Sequence, residues 1–254
     1  MRARGGVVGL IDHDALLLGD VERAVDRVPL GLGAAWYRGW MIPAERYGDL
    51  GRALEGRGVQ LAVPAERYRA AHELPGWYSV FAPLTPRSVW SVGEVADVAA
   101  LAGELRGGPG IVKDYVKSRK HEWDEACFIP DLSDLSVVER VVQRFVELQG
   151  EFLAGGIVLR EFESFVASQP EVRVWWVDGE ARLVTPHPDG AYQAIPDLEL
   201  GEVKAAVGRL GCRFVTTDLA LRTDGAWRVV EVGDGQVSDL HGAIEPGDLI
   251  SVLN

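Results

Sequence analysis

The chain has 254 residues, 47% of them hydrophobic and 25% charged, with 26 Lys and Arg against 38 Asp and Glu and a formal net charge of −12. That composition is expected of an ordinary soluble globular protein, and the acidic balance argues against a protein built to grip a nucleic-acid backbone. No apolar run reaches the ~18 residues of a membrane-spanning helix, and the two cysteines, Cys127 and Cys212, form neither a CxxC pair nor a disulfide scaffold, so a reducing, cytoplasmic setting is expected.

The opening MRARGGVVGLIDHDALLLGD joins basic residues to an apolar patch. Asp12 and Asp14 interrupt that patch and no small-residue cleavage site follows, so no signal peptide is expected. Residues 1–88 read as a small α/β region. A strand is predicted over Ala34–Ile42, helices over Ala44–Glu55 and Ala65–Ala71, and a strand over Val59–Val63 between them. PAERY occurs at 43–47 and again at 64–68, each proline suited to the first turn of a helix. The two β-then-α units imply a partly parallel sheet. Tyr37 and Arg38 on the first strand either face a ligand or make an amphipathic edge contact. Leu74–Val92, with Pro75, Pro83 and Pro86, reads as a connector. A helix over Gly93–Leu105 is stopped by Arg106-Gly107-Gly108-Pro109-Gly110.

Next comes a short apolar strand ending near Lys113, followed by Lys117, Arg119 and Lys120. The GxxxxGK[ST] phosphate loop is absent, but a lysine on a strand can still meet a phosphate as a point charge. The group is therefore either an anion site or a solvated strand end. His121–Asp134 lacks periodicity and is expected to form a flexible flap pinned by Trp123 and Phe128. Leu135–Gln149 is the clearest amphipathic helix, with Ser133 or Asp134 as N-cap. After Gly155-Gly156, a strand predicted from Ile157 carries Arg160 and ends in Glu161-Phe162-Glu163. That ending suits either a flat heterocycle or a charged, protected sheet edge.

Glu171–Val177 and Ala181–Thr185 form a predicted hairpin around Asp178-Gly179, and alternation puts Glu171, Arg173 and Trp175 on one face. A helix over Leu198–Leu210 precedes a second hairpin, whose strands flank Arg222-Thr223-Asp224-Gly225. This hairpin carries Asp218 on the way in and Glu231 on the way out, with Asp234 just beyond. Clustered carboxylates repel unless a cation sits among them, and oxygen-only ligands suit Mg²⁺ held with nucleotide phosphates better than zinc. The alternative is an exposed acidic rim. Asp239, His241 and Glu245 follow near the proposed metal. The five histidines show no HxxxH spacing, and no GxSxG motif occurs.

Four stretches, GIVKDYVKSRKHEWDEACFIPD, GGIVLREFESF, EVRVWWVDGEARLV and TTDLALRTDGAWRVVEVGDGQVSDL, follow one another in an order that resembles the ATP-grasp superfamily, and most closely its compact R2K clade. The resemblance covers about residue 89 to the end. It implies an α/β and α+β protein of the ATP-grasp fold: a pre-ATP-grasp-like α/β domain (1–88), then subdomain A (89–155) and subdomain B with the metal-binding hairpin (156–254), the two subdomains clasping ATP. By this resemblance Lys113 contacts the ATP phosphates, and the linker of Arg160, Glu161, Phe162 and Glu163 borders adenine and ribose. Glu171 and Arg173 match a Glu-x-Arg pair in which Arg173 meets phosphate or the acyl intermediate. Lys117, Arg119 and Lys120 have no counterpart in the wider superfamily and are assigned to phosphate or substrate on their charge. Asp218 and Glu231 match the two acidic ligands of Mg²⁺, with Mn²⁺ as the alternative ion. The usual third ligand, an Asn two positions after the Glu, is Gly233 here, and Asp234 is the candidate replacement.

The implied activity is ATP-dependent ligation of a carboxylate to an amine through an acyl phosphate. The rival readings are a small-molecule kinase using the same ATP site and a nucleotide-binding module without turnover. The expected partners are a small-molecule or peptide carboxylate and an amine co-substrate, with no nucleic acid and no membrane; monomer and homodimer both stay open.

Overall fold

The computed structural model describes residues 6–93 and 97–253. Its contacts divide the chain into two units: unit 1 takes the residues up to His72, Ala167–Ala220 and those from Val229 onward, and unit 2 takes Glu73–Val166 and Leu221–Arg228.

The N-terminal part of unit 1 begins with two short helices absent from the sequence expectation, α1 (His13–Leu17) and α2 (Val21–Val25). Asp12 and Asp20 start them by accepting from the backbone N–H groups of Ala15 and Arg23. β1 (Gly33–Ala35) and β2 (Val59–Leu61) pair in parallel, joined through α3 (Ala44–Glu55) and followed by α4 (Ala65–His72). Both PAERY copies therefore start helices, as expected. The first strand is shorter than predicted. Beyond Ala35 the chain runs irregularly through Tyr37 and Arg38.

Unit 2 opens with α5 (Leu74–Phe81), where a connector was expected. Pro75 occupies the first turn, where its missing N–H costs nothing, and Leu74, Trp77 and Phe81 are buried. β3 (Ser88–Trp90) comes next, then α6 (Val98–Gly103), which covers the later part of the predicted helix; residues 94–96 lie outside the described residues. β4 (Gly110–Lys113) is followed by a 3₁₀ turn, α7 (Trp123–Ala126) and β5 (Phe128–Ile129). The segment expected to be a flap is thus part of the sheet, since β5 pairs antiparallel with β4 and Trp123 stacks on Phe128 at 5.3 Å. α8 (Leu135–Gln149) has the predicted bounds and is capped by Asp134. β6 (Val158–Glu161) completes a four-stranded antiparallel sheet of order β3-β6-β4-β5. One face of α8 (Val138, Val141, Val142, Phe145) joins Val112, Ile129, Ile157 and Leu159 in the core of this unit.

The chain then supplies the second sheet: β7 (Val172–Val177), β8 (Glu180–Pro186), α9 (Gly201–Leu210), β9 (Phe214–Leu221), β10 (Trp227–Asp234) and a final helix α10 (Pro246–Ser251). The strand order is β10-β9-β7-β8. Both predicted hairpins form. Asp178 and Gly179 carry φ of 50° and 81°, the pair of positive values a two-residue I′ turn needs, and Gly225 at 90° serves the second turn. Trp175, Val177 and Phe214 of this sheet share one apolar core with Tyr37, Tyr47 and Tyr68 from the N-terminal part of the same unit. Among the described residues, no helix is long and apolar enough to cross a membrane.

Candidate functional site

Register decides which polar groups meet in unit 1. Arg173 on β7 stands opposite Asp218 on β9 and opposite Thr185 on β8. Two residues along, the His187 N–H donates to the Glu171 carbonyl, so these two residues extend the β7–β8 ladder. On the other side, the Gly235 N–H donates to the Phe214 carbonyl and the Thr216 hydroxyl reaches the Gly233 carbonyl. Continuing that alternation sets Glu231 opposite Asp218. Side chains of one parity point to one face, so Glu231, Asp218, Arg173, Glu171 and His187 line up across four adjacent strands.

The centre of the row is a buried ion pair. Arg173 Nε and Nη2 each donate to one oxygen of Asp218, both at 2.7 Å, and Nη1 donates to the Asp239 carbonyl at 2.8 Å. Burial opposes the Arg173 charge, but hydrogen bonds and charge from Asp218, helped by Glu231 and Glu171, outweigh it and hold the pKa above its ordinary value. His187 Nε2 lies 3.6 Å from Asp218 Oδ2 and 3.9 Å from Glu171 Oε1. One ligand atom from each of Glu171, His187 and Asp218 fits within 4.8 Å of the others, a spacing that can hold a cation. Asp218 and Glu171 offer the one or two protein carboxylates that a phosphate-bound Mg²⁺ takes, and the imidazole makes the set more accommodating toward softer ions; Glu231 is related to them by strand register alone. Sequence reasoning missed His187, because its role depends on the β7–β8 register rather than on spacing to another histidine.

Asp234 is not in this row. It is fully buried, with Oδ1 accepting from the Gln236 N–H at 2.9 Å and from Gln236 Nε2 at 3.2 Å, while Oδ2 has no hydrogen-bond partner. Desolvation pushes its pKa up to about 7, against the Gln236 hydrogen bonds and the Arg38 charge. An odd offset from Glu231 turns it to the opposite parity, a signal present in the sequence. Asp234, expected from the sequence as the third metal ligand, is thus buried and bonded to Gln236 on the face away from the row, and Gly233 offers no side chain.

The cations of unit 2 are mostly engaged internally. Lys113 is buried and its Nζ donates to the Val116 carbonyl at 3.3 Å. Asp114, not singled out from sequence, accepts from the N–H groups of Val116, Lys117 and Ala154 and from Gln149 Nε2, which fixes the turn carrying the exposed Lys117. Arg119 Nη2 donates to the Leu148 carbonyl at 2.6 Å near the end of α8, so this guanidinium serves a helix C-terminus. Arg160 is buried, donates to the Ser88 hydroxyl at 2.9 Å and lies over the Trp77 ring.

The Glu-Phe-Glu linker divides into three environments. Glu161 accepts from the Arg106 N–H at 3.1 Å. Phe162, 37% exposed, meets Trp123 and Phe128 edge-to-face and completes a partly open aromatic surface. Glu163 takes two hydrogen bonds at 2.9 Å from Arg228, which also donates to the Pro83 and Thr85 carbonyls, and Arg222 stands 3.3 Å away. Glu163 is thus an internal clamp. Replacing it by Ala is expected to destabilise unit 2 by about 2–3 kcal/mol, because Arg228 keeps its burial and loses its counter-charge. Urea denaturation checks this, and adding Arg228→Met is expected to recover part of the loss.

Comparison with known proteins agrees with the architecture. Among solved structures, a RimK domain ATP-grasp protein from Sphaerobacter thermophilus DSM 20745 aligns with a TM-score of 0.53 at 20% identity, over 81% of this chain and 74% of that one. The D-cycloserine synthetase DcsG aligns with a TM-score of 0.55 at 17% identity, over 80% and 75%. The ATP-grasp ligase PsnB, complexed with a minimal precursor, aligns with a TM-score of 0.52 at 16% identity, over 82% and 69%. No curated protein matches in sequence. The model of the ATP-grasp domain, R2K clade family 3, matches residues 101–253. With more than half of its length matched and a shared fold, this chain belongs to the R2K clade of the ATP-grasp proteins.

Proposed function

We propose that the protein is an ATP- and Mg²⁺-dependent ligase that joins a carboxylate to an amine through an acyl phosphate. The observation that carries this reading is the row Glu231–Asp218–Arg173 with Glu171 and His187, a carboxylate cluster built around a buried guanidinium in an ATP-grasp chain. In the reaction a carboxylate oxygen attacks the γ-phosphorus of ATP, and the bond from that phosphorus to the bridging oxygen of ADP breaks. The amine then attacks the acyl carbon, phosphate leaves, and the amine proton passes to base or solvent. A free carboxylate cannot acylate an amine directly, because oxide is a poor leaving group.

Such chemistry calls for positioning and charge neutralisation rather than a protein nucleophile. Asp218 and Glu231 would hold the ion, which when bound neutralises phosphate charge. Arg173 keeps Asp218 in place and lowers the negative potential of the row. In unit 2 the proposed nucleotide contacts are Lys113, Lys117 and the aromatic surface at Phe162. Structural neighbours named as an ATP-grasp ligase (PsnB) and as a synthetase (DcsG) support the reaction class and leave both substrates open.

The test supplies ATP, Mg²⁺, hydroxylamine and a broad panel of carboxylic acids. At least one acid is expected to give its hydroxamate together with equimolar ADP. Neither product across the panel would overturn the reading. A stable phosphorylated product without hydroxamate would establish the kinase reading. Nucleotide binding without turnover is the second reading, favoured by Gly233 at the expected Asn position and by the burial of Asp234 away from the row.

A further inference from the structure

One arginine near the row in unit 1 is not used by the reaction described above. The turn after β10 presents consecutive carbonyls to two guanidinium groups: Ser238 O accepts from Arg38 Nη1 at 3.1 Å, and Asp239 O accepts from Arg173 Nη1 at 2.8 Å. Gly235 O holds Arg38 Nη1 as well, at 2.6 Å. Arg38 therefore stands beside Arg173, and desolvation first, then the Arg173 charge, lower its pKa, with Asp239, Asp234 and Tyr37 acting in the opposite sense.

The backbone on either side of Arg38 is pinned by a single buried side chain and its own carbonyl. The Tyr37 N–H donates to Gln236 Oε1 at 3.0 Å and the Gly39 N–H to Gln236 O at 3.4 Å. Gln236 Nε2 donates in turn to the Tyr47 hydroxyl at 2.9 Å. A Cβ at Gly39 would come within 2.6 Å of the Tyr37 hydroxyl oxygen, so this bend admits only glycine without rearrangement. The guanidinium lies over the Trp175 ring, 5.8 Å from its centroid.

Arg173 uses Nε, Nη1 and Nη2 within the protein. Arg38 uses Nη1 alone, and its Nε–Nη2 edge has no hydrogen-bond partner among the described residues. That edge is the fork that matches a carboxylate. Arg38 is exposed, so this edge, held from behind by Nη1 and next to the proposed reaction row, is open to an anion arriving from solvent. The exposed Asp239 charge close by disfavours a polyphosphate and tolerates a single carboxylate.

We propose that Arg38 binds a carboxylate of the acid substrate, so that the N-terminal part of unit 1 contributes to substrate specificity. The proposal rests on the ligase reading for the identity of the anion. The fork itself is testable without turnover.

The variants are Arg38→Met, which keeps the stem over Trp175, and Arg38→Lys, which keeps the charge without the fork. Thermal-shift titration uses the α-amino acids, succinate, glutarate and benzoate as probes, with and without Mg-ATP, and calorimetry measures Mg-ATP affinity separately. At least one probe is expected to stabilise the wild type saturably. Its apparent Kd is expected to rise roughly tenfold or more in Arg38→Met and less in Arg38→Lys, with Mg-ATP affinity within about twofold. For that probe in steady-state turnover, KM rises and kcat changes little.

No stabilising probe in the wild type, equal binding by all three proteins, or a parallel loss of Mg-ATP affinity would each overturn the proposal. Should Arg38→Met fail to fold, Arg38→Lys decides, because weaker probe binding at an unchanged Tm is required of it. Absence of Mg-ATP binding in the wild type would sink the ligase reading instead, while the titration without nucleotide still judges Arg38.

Discussion

Changing Asp218 to Asn is expected to destabilise unit 1 by about 3–5 kcal/mol and to abolish acid-dependent ADP release. The stability loss follows from burial. Asp218 is 2% exposed and Arg173 8% exposed, and the pair shares two hydrogen bonds of 2.7 Å. An amide can satisfy only one of the two donors and leaves the guanidinium charge uncompensated where water cannot replace the partner. The activity loss follows from the proposed role of Asp218 as an ion ligand. Glu231→Gln separates the two effects, because Glu231 is only partly buried. Its amide is expected to cost less than about 1 kcal/mol of stability and yet remove turnover as fully. Urea denaturation followed by tryptophan fluorescence reports the first quantity, with Trp175 and Trp176 buried in the same sheet, and ADP release reports the second. Wild-type turnover in either variant would remove these carboxylates from the reaction.

The second large effect concerns pH. Asp234 has an ordinary carboxyl pKa of 3.8 when unfolded and one pushed up to about 7 in the fold. The native state therefore binds the proton more tightly than the unfolded state. This group's stabilising contribution is fully present below its unfolded pKa and is lost as pH rises through its folded pKa. A shift of this size corresponds to about 4 kcal/mol, lost mainly between about pH 4 and pH 7. The physical cause is desolvation of a carboxylate with one oxygen unpartnered, which the two Gln236 hydrogen bonds to the other oxygen only partly offset.

Asp234→Asn keeps the Oδ1 acceptor and cannot ionise. It is expected to be more stable than the wild type at about pH 8 and to lose most of this advantage at about pH 5. Denaturation curves at both values, compared between the two proteins, isolate the group from all other titrations. An unchanged difference across that range would show that Asp234 does not hold its proton in the fold. Because Gln236 also pins Tyr37 and Gly39, the same carboxyl sits behind the bend that carries Arg38.

Local chemistry made much of this protein legible in advance. α8 was recoverable because its apolar residues repeat at the helical period and a capping side chain, Ser133 or Asp134, stands at its start, where the structure uses Asp134. Asp178-Gly179 and Asp224-Gly225 announced both hairpins, since few other residues tolerate the positive φ that such turns demand. The order of the four strand-borne stretches carries the resemblance to the ATP-grasp family within the sequence itself. Some local signals have two meanings that only the fold separates. Pro75 marks a loop or the first turn of a helix, and only the burial of Trp77 and Phe81 beneath α5 selects the helix. The aperiodic segment after Lys120 became sheet because β4 offered an edge to Phe128 and Ile129.

The primary structure alone thus determined most of the longer elements, the two turns and the presence of Asp218, Glu231 and Arg173 on strands, all consequences of interactions within a few residues. The tertiary structure decided which of those groups meet. Arg173 and Asp218 are 45 positions apart, His187 reaches them through the β7–β8 register, and Arg38 is held by carbonyls about 200 positions away. Pairings over such separations follow from strand register and core packing, where a one-residue slip turns every side chain to the opposite face. No local property of these residues encodes that choice.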